Sequence, residues 1–240
     1  LTHTTPALFF TRWITHFCAP IFTFLAGTAA YLSKSRKTTK ELSFFLFTSG
    51  LWLAGLEMLV VTPGWTFHPY VILIWQVIWS IGISMICLSL LIYFPMPLIL
   101  VIGLLCMTAH NLLDNVHVPG EGGNAFFWAF LHEQRLFSFS YIDIFVGYPI
   151  IPWIGTMATG YCFGRLYASD VDPARRKKAL IRLGVGVTML FIIVRTLNIY
   201  GDPHAWAPQH NSVFTLLSFL NTTKYPPSFL YLLLTLGPAF

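Results

Sequence analysis

The sequence predicts an all-α protein, a polytopic transmembrane helix bundle with about seven spans in its 240 residues. Hydrophobic residues make up 56% of the chain and charged residues only 10%, whereas a soluble domain carries about 25% charge. The mean hydropathy is +0.69, and the apolar residues fall in runs of about 20, the length that crosses a bilayer. We therefore expect a single integral membrane domain over residues 1–240, in contact with lipid.

The predicted spans are seven apolar segments, many of them with a proline near one end. They cover roughly residues 13–32, 42–62, 71–93, 96–115, 146–167, 179–200 and 225–240. The chain begins with Leu and stops inside the apolar run TLGPAF, so we expect a protein truncated at both ends. Gly160 and Gly164 form a GxxxG motif, which predicts close helix packing.

The basic residues predict the orientation of these spans. Loop 33–41 holds four of the 14 lysines and arginines, and six more lie around loop 168–180. With seven spans both loops fall on one side, which the positive-inside rule makes cytoplasmic. The connections 63–70, 116–145 and 201–224 then face outward. The charge of +5 lies largely in these short loops, so we expect no nucleic-acid partner.

Most other ionisable groups fall in the outward half of the spans. Such groups are expensive inside a membrane and usually face a cavity or one another, which predicts an outward-opening polar pocket. We expect side chains from separate spans to converge there. The residues are Arg12, His16, Glu57, His110, Asp114, Arg195, Asn198, Asp202, Lys224 and Tyr225.

The stretch AHNLLD contains the first candidate for acid–base chemistry. Asp114 lies one turn beyond His110, where its carboxylate can accept the imidazole N–H and increase the basicity of the ring. His16, four residues after Arg12, is the rival base. The pairs His110–Asp114 and Arg12–His16 can also be purely structural.

Other polar residues also have a second interpretation. Arg195 can extend to the outer headgroups, and Glu57 can be a buried structural carboxylate. Histidines in loops are expected to be solvated: His3, His117, His132, His204 and His210. The aromatic centre of connection 116–145 suits an interfacial helix covering the pocket, or a spacer. The four cysteines lie singly in apolar runs, and we expect no disulfide and no metal.

Four motifs carry a resemblance to a known family: FFTRWITHFCAPIFTFLAGTAAYL, GYPIIPWIGTMATGYCFGRL, RTLNIYGDP and LSFLNTTKYPPSFLYLLLTLGPA. With them, essentially the whole chain resembles bacterial membrane proteins related to the catalytic region of heparan-α-glucosaminide N-acetyltransferase. The resemblance implies a transmembrane acyltransferase of the bacterial inner membrane, whose eukaryotic relative is lysosomal. In that enzyme, acetyl groups from cytoplasmic acetyl-CoA reach a glucosamine amine on the lumenal side.

The resemblance also places the essential histidine just before the helix matching residues 13–32. The corresponding stretch LTHTTPALFF contains His3, and His16 stands where the lysosomal enzyme has an aspartate. The catalytic histidine is then His3, is His16, or lies in a preceding helix that bacterial relatives carry. At the other side, Arg165, Arg175 and Arg176 are candidates for the phosphates of acetyl-CoA or another acyl-CoA, although such charges also set topology.

Acyl transfer to a carbohydrate amine or hydroxyl is the leading hypothesis. A transporter or channel would use the same polar groups as a solute or proton path. No repeated halves are evident, and the polar groups lie near one face, which favours an enzyme. A structural subunit of a cell-envelope complex needs little internal polarity and fits least. A homodimer is left open.

Overall fold

The computed structural model describes residues 5–67 and 72–240, and this part of the chain is mostly helical. Short 3₁₀ segments or a π-helical turn follow several of the α-helices. The helices are α1 (Pro6–Ile14), α2 (Cys18–Ser33), α3 (Thr39–Leu56), α4 (Thr62–Thr66), α5 (Val77–Leu91), α6 (Met96–Thr108), α7 (Gly123–Leu131), α8 (Ile151–Phe163), α9 (Pro173–Leu197), α10 (Ser212–Leu220) and α11 (Phe229–Leu236). The strands are β1 (Ile72–Trp75), β2 (Arg135–Ser138) and β3 (Asp143–Val146).

Three helical segments of the described residues are long and apolar enough to cross a membrane: Pro6–Ser33, Thr39–Thr66 and Pro173–Leu197. They match three of the predicted spans. The other four predicted spans contain shorter helices, α5, α6, α8 and α11, so seven full spans are not confirmed. The 15 residues of α5 extend about 22 Å, less than the roughly 30 Å of hydrocarbon.

A small sheet corrects the all-α prediction. Strand β3 lies in the middle, parallel to β1 and antiparallel to β2. The second half of the connection 116–145 therefore contains two short strands, while its first aromatic stretch forms the helix α7. Strand β1 also occupies the beginning of predicted span 71–93. The sequence Ile72–Trp75 is apolar throughout, and periodicity alone does not separate such a short run from a helix.

Helix α8 is the centre of the bundle and packs against α2, α5 and α6. Ten of its residues are buried, including Trp153, Met157 and Tyr161. A Cβ on Gly160 would lie 2.9 Å from the backbone carbon of Phe24 on α2, closer than real Cβ contacts. Only glycine permits this approach, so the GxxxG prediction of close packing is confirmed.

The two basic loops lie at the same end of the bundle. Gly164 at the end of α8 packs against Tyr31 near the end of α2, and loop 33–41 follows directly. That loop ends in a capping box in which Thr38 and Glu41 hydrogen-bond each other's backbone N–H. The AHNLLD stretch and the beginning of α11 lie together at the opposite end, where the candidate site is found.

Candidate functional site

His110 begins the 3₁₀ turn that follows α6, and it is buried. Its Nδ1 lies 3.1 Å from the carbonyl oxygen of Cys106 in the preceding turn. Its Nε2 lies 2.9 Å from the carbonyl oxygen of Pro227, just before α11. A neutral imidazole donates only one hydrogen bond, and here each nitrogen faces an acceptor. The ring therefore links α6 to the beginning of α11 and has no nitrogen directed at open space.

The carboxylate of Asp114 has partners other than His110. Its Oδ1 lies 3.1 Å from Nε2 of His132, and its Oδ2 accepts a hydrogen bond of 2.8 Å from Nδ2 of Asn111. The prediction that Asp114 orients His110 through a direct hydrogen bond is therefore wrong, because the 3₁₀ turn directs the carboxylate toward the end of α7. His132, expected to be a solvated loop histidine, is 3% exposed.

Asn111 joins the AHNLLD stretch to α11. Its Oδ1 accepts a 2.8 Å hydrogen bond from the backbone N–H of Phe229, the first residue of the helix. This N–H is one of the donors that a helix leaves without an internal partner. Ser228 caps the same helix, because its Oγ accepts from the N–H of Tyr231. Asn111 is not among the site residues predicted from the sequence, although it lies between His110 and Asp114, which are.

Asp202 holds the segment before α11 from the other side. Its Oδ2 accepts hydrogen bonds of 2.7 Å from both the Thr223 N–H and the Ser228 hydroxyl. Its Oδ1 accepts from the Thr223 hydroxyl and from the His204 N–H. Asp202 and Asn111 therefore both organise the turn that starts α11.

Arg195 is fully buried and donates to backbone oxygens. The acceptors are the carbonyls of Ser218, Phe219 and Asn221 at the end of α10 and that of His204 in the preceding loop, at 2.7 to 3.2 Å. Asn198, in the left-handed conformation after α9, exchanges two hydrogen bonds with the backbone of Trp206. Arg195 and Asn198 therefore have a structural role: they hold the backbone of residues 201–221, which include α10, against the end of α9.

Glu57 is also buried, at the start of a π-helical turn after α3. Its Oε2 accepts a 3.2 Å hydrogen bond from the N–H of Trp79 in the first turn of α5. The residue before α5, Gln76, makes no side-chain cap. Glu57 thus supplies the missing cap from a neighbouring helix, where the helix dipole also favours a carboxylate.

His16 lies in the 3₁₀ turn between α1 and α2 and is partly buried. Its backbone carbonyl accepts a 2.7 Å hydrogen bond from the hydroxyl of Tyr231, and its ring lies 5.7 Å from the tyrosine ring. Nδ1 of His16 is buried without a hydrogen-bond partner among the described residues. Arg12 and Lys224 are the cations that act on His16 electrostatically. His3, the other N-terminal candidate, lies outside the described residues.

Tyr225 connects the segment before α11 to the bundle. Its hydroxyl lies 3.2 Å from that of Tyr148, whose ring centre is 5.3 Å from that of the buried Trp153 in a tilted arrangement. The ammonium of Lys224 lies 5.2 Å from the centre of the Tyr225 ring. The segment before α11 therefore carries a cation and a phenol, and the His16 imidazole lies against Tyr231 in the first turn of the helix.

The predicted convergence is only partly realised. The polar groups gather around the beginning of α11, because Tyr231 contacts His16, Phe229 contacts Asn111 and Ser228 contacts Asp202. Within the described residues, no hydrogen bond or ion pair joins His110 or Asp114 directly to one of the expected partners. Those partners are Arg12, His16, Arg195, Asp202 and Lys224.

Arg165, Arg175 and Arg176, at the opposite end of the bundle, differ in the partners of their guanidinium groups. Arg165 donates two hydrogen bonds, of 2.7 and 2.6 Å, to the carboxylate of Asp170. These bonds lower the pKa of the Asp170 carboxyl group. The guanidinium of Arg176 lies 5.2 Å from the ring of Tyr167. Arg175 is exposed, and its backbone N–H donates to the carboxylate of Asp172, the residue that caps α9.

A cavity of about 410 Å³ lies between α6, α8, α9 and α11. Its walls are almost entirely apolar and include Leu104, Met107, Phe163, Leu190 and Phe229. The polar residues predicted to line a pocket are not part of this lining. The buried ones among them, Glu57, His110 and Arg195, form hydrogen bonds with backbone groups instead.

Residues 2–201 match the family model described as heparan-alpha-glucosaminide N-acetyltransferase, catalytic. The chain belongs to this family. The match extends from the N-terminal segment through the AHNLLD stretch to the end of α9, and it ends before Asp202, Lys224, Tyr225 and α11. No curated protein and no solved structure matches the chain. Membership confirms the resemblance to this family, although the fourth motif, residues 217–239, lies beyond the match. At family level it indicates a transmembrane acetyltransferase.

Proposed function

We propose that the protein is a membrane-embedded acyltransferase of the bacterial inner membrane. It transfers an acetyl group from acetyl-CoA, or another acyl group from its CoA thioester, to a saccharide amine or hydroxyl on the extracytoplasmic side. The observation that carries the proposal is the acetyltransferase family match over residues 2–201. The apolar helices support the location in a bilayer.

The reaction requires two proton movements. The acceptor loses a proton as its nitrogen or oxygen bonds to the acyl carbon, and the departing sulfur gains one. Histidine suits both roles near neutral pH. We assign one of these transfers to the N-terminal segment, to His3 or to His16, whose Nδ1 is buried without a partner among the described residues.

Arg12, Lys224 and Tyr225 are proposed to contact the substrate. The two cations act on His16, and the Tyr225 hydroxyl meets that of Tyr148 beside it. Cations and hydroxyl groups in this position stabilise the negative charge that develops on the carbonyl oxygen during acyl transfer. Asn198, Arg195, Asp202 and Glu57 already hold backbone groups, and we assign them to support of the site.

The end of the bundle with the two basic loops is the proposed cytoplasmic entrance for the donor. Arg175 and Arg176 carry charge there without a carboxylate partner among the described residues, so we assign them to the CoA phosphates. Arg165 is paired with Asp170 and shapes the loop. The transport alternative lacks comparable support, because the cavity among α6, α8, α9 and α11 has apolar walls.

Purified protein in lipid nanodiscs, incubated with radiolabelled acetyl-CoA and a panel of envelope saccharides and amino sugars, tests the proposal. We expect label in a saccharide product, and we expect His3→Ala or His16→Ala to abolish it while His210→Ala, in an exposed loop, keeps it. Folded wild-type protein that labels no acceptor from any acyl-CoA supplied would overturn the acyltransferase assignment.

A further inference from the structure

His132, which is buried, and Asp114, which is partly buried, form a pair at the outward end of the bundle. His132 follows α7 directly, and its side chain is 4% exposed. Its Nε2 lies 3.1 Å from Oδ1 of Asp114, whose other oxygen is held by Asn111. The carboxylate thus has one oxygen for the imidazole and one for the amide that caps α11. This arrangement fixes the position of the ring.

The pairing with Asp114 determines the tautomer of His132. A carboxylate only accepts hydrogen bonds, so Nε2 of the imidazole carries the proton and donates it. In the neutral ring Nδ1 then has a free lone pair. That nitrogen is buried and has no hydrogen-bond partner among the described residues. His110, whose ring centre lies 5.8 Å away, faces a carbonyl oxygen with each nitrogen.

A purely structural role for His132 does not use this nitrogen. Nε2 alone ties the end of α7 to the turn after α6, and a buried acceptor without a donor costs free energy. An imidazole with one nitrogen held by a carboxylate and the other one free is the arrangement in which histidine accepts protons during catalysis. The contrast with His110 singles out His132 in this cluster.

We propose that Asp114 and His132 form a second acid–base unit of the acetyl-transfer site, in addition to the N-terminal histidine. The inference rests on the proposed function. In the step, the acceptor nitrogen or oxygen forms a bond to the acyl carbon, and the carbon–sulfur bond of the thioester breaks. The electron pair leaves with sulfur, and the acceptor's proton moves to Nδ1 of His132. The N-terminal histidine supplies the proton that converts the leaving thiolate into the thiol.

Three variants of the full chain separate the roles of the two histidines. We expect His132→Gln to lower kcat by about 10²–10⁴-fold with little change in KM or melting temperature, the usual effect of removing one acid–base group. Asp114→Asn, which affects a positioning residue, should lower kcat less. His110→Gln should lower the melting temperature and retain kcat per folded molecule. His117→Gln, in the exposed part of the same connection, is the matched control.

Wild-type kcat in folded His132→Gln would overturn the inference. Nitrogen-15 NMR of histidine-labelled wild-type protein in nanodiscs provides a test that needs neither activity nor the variant. The inference requires a His132 ring protonated at Nε2 and bare at Nδ1, and the opposite tautomer would overturn it. A folded wild-type enzyme that acylates none of the acceptors supplied would refute the proposed function, and the NMR result would still decide the protonation state of the His132–Asp114 pair.

Discussion

The side-chain oxygen of Asn111 accepts a hydrogen bond of 2.8 Å from the backbone N–H of Phe229, 118 positions further along the chain. The same amide donates to Asp114, which holds His132. Next to it, His110 contacts the carbonyl oxygen of Pro227. The AHNLLD stretch is therefore polar because it binds the first turn of α11 and the end of α7 at once.

Replacing Asn111 with alanine should destabilise the protein by about 1–3 kcal/mol, because the buried N–H of Phe229 loses its acceptor. Thermal unfolding in detergent measures the effect. Asn124→Ala, at an exposed position of α7, is the control and should change stability little. Equal melting temperatures for both variants would show that the Asn111 contact does not stabilise α11.

Glu57 is predicted to act as the cap of α5 and not as a substrate ligand. Glu57→Ala should cost about 0.5–2 kcal/mol, whereas Glu57→Gln keeps an oxygen for the N–H of Trp79 and should cost less. Both variants should retain acetyl transfer per folded molecule. Glu121→Ala, in an exposed loop, is the stability control. Loss of turnover in folded Glu57→Gln would return this carboxylate to the chemistry.

Arg195→Lys should destabilise the protein by at least about 3 kcal/mol. One ammonium group cannot reach the carbonyl oxygens of α10 and of His204 that the guanidinium binds together. Arg182→Lys provides a matched control on the exposed face of the same helix and should be neutral. Thermal unfolding of both variants checks this. Equal stability would show that the four hydrogen bonds of Arg195 do not stabilise the fold.

Gly160→Ala should impair folding, because an added Cβ would overlap the backbone of Phe24 and force α8 away from α2. Gly186→Ala is the comparison, since its Cβ meets nothing within 4 Å and alanine favours the helix. The yield of monodisperse protein and its melting temperature report the difference. Wild-type behaviour of Gly160→Ala would contradict the close packing of these helices.

The orientation predicts which ends react with a membrane-impermeant thiol reagent. In a background without the four native cysteines, His117→Cys should be labelled in intact cells and Lys37→Cys only after lysis. Position 117 follows the AHNLLD stretch, and position 37 lies in the first basic loop. Labelling of position 37 alone in intact cells would reverse the proposed sides.

Composition and short motifs were enough to predict the membrane class, a helix within each of the seven apolar segments and the close packing at Gly160. These properties follow from local quantities: apolar runs, basic loops and the absence of a Cβ. The lengths of the helices did not follow. Ile72–Trp75 forms a strand because it pairs with the distant β3, so α5 begins only at Val77, and α6 is followed by a 3₁₀ turn at His110.

The partners of the polar residues were decided by the tertiary structure alone. From sequence, Asp114 belongs with His110, since the two are four positions apart and a regular helix would bring them together. In the structure, the 3₁₀ turn changes that direction, and the carboxylate binds His132 from another element. Arg195, Glu57 and Asp202 likewise bind backbone groups that only folding brings near them. A sequence determines which side chains carry charge, but long-range packing determines which unsatisfied N–H, carbonyl or imidazole each one meets.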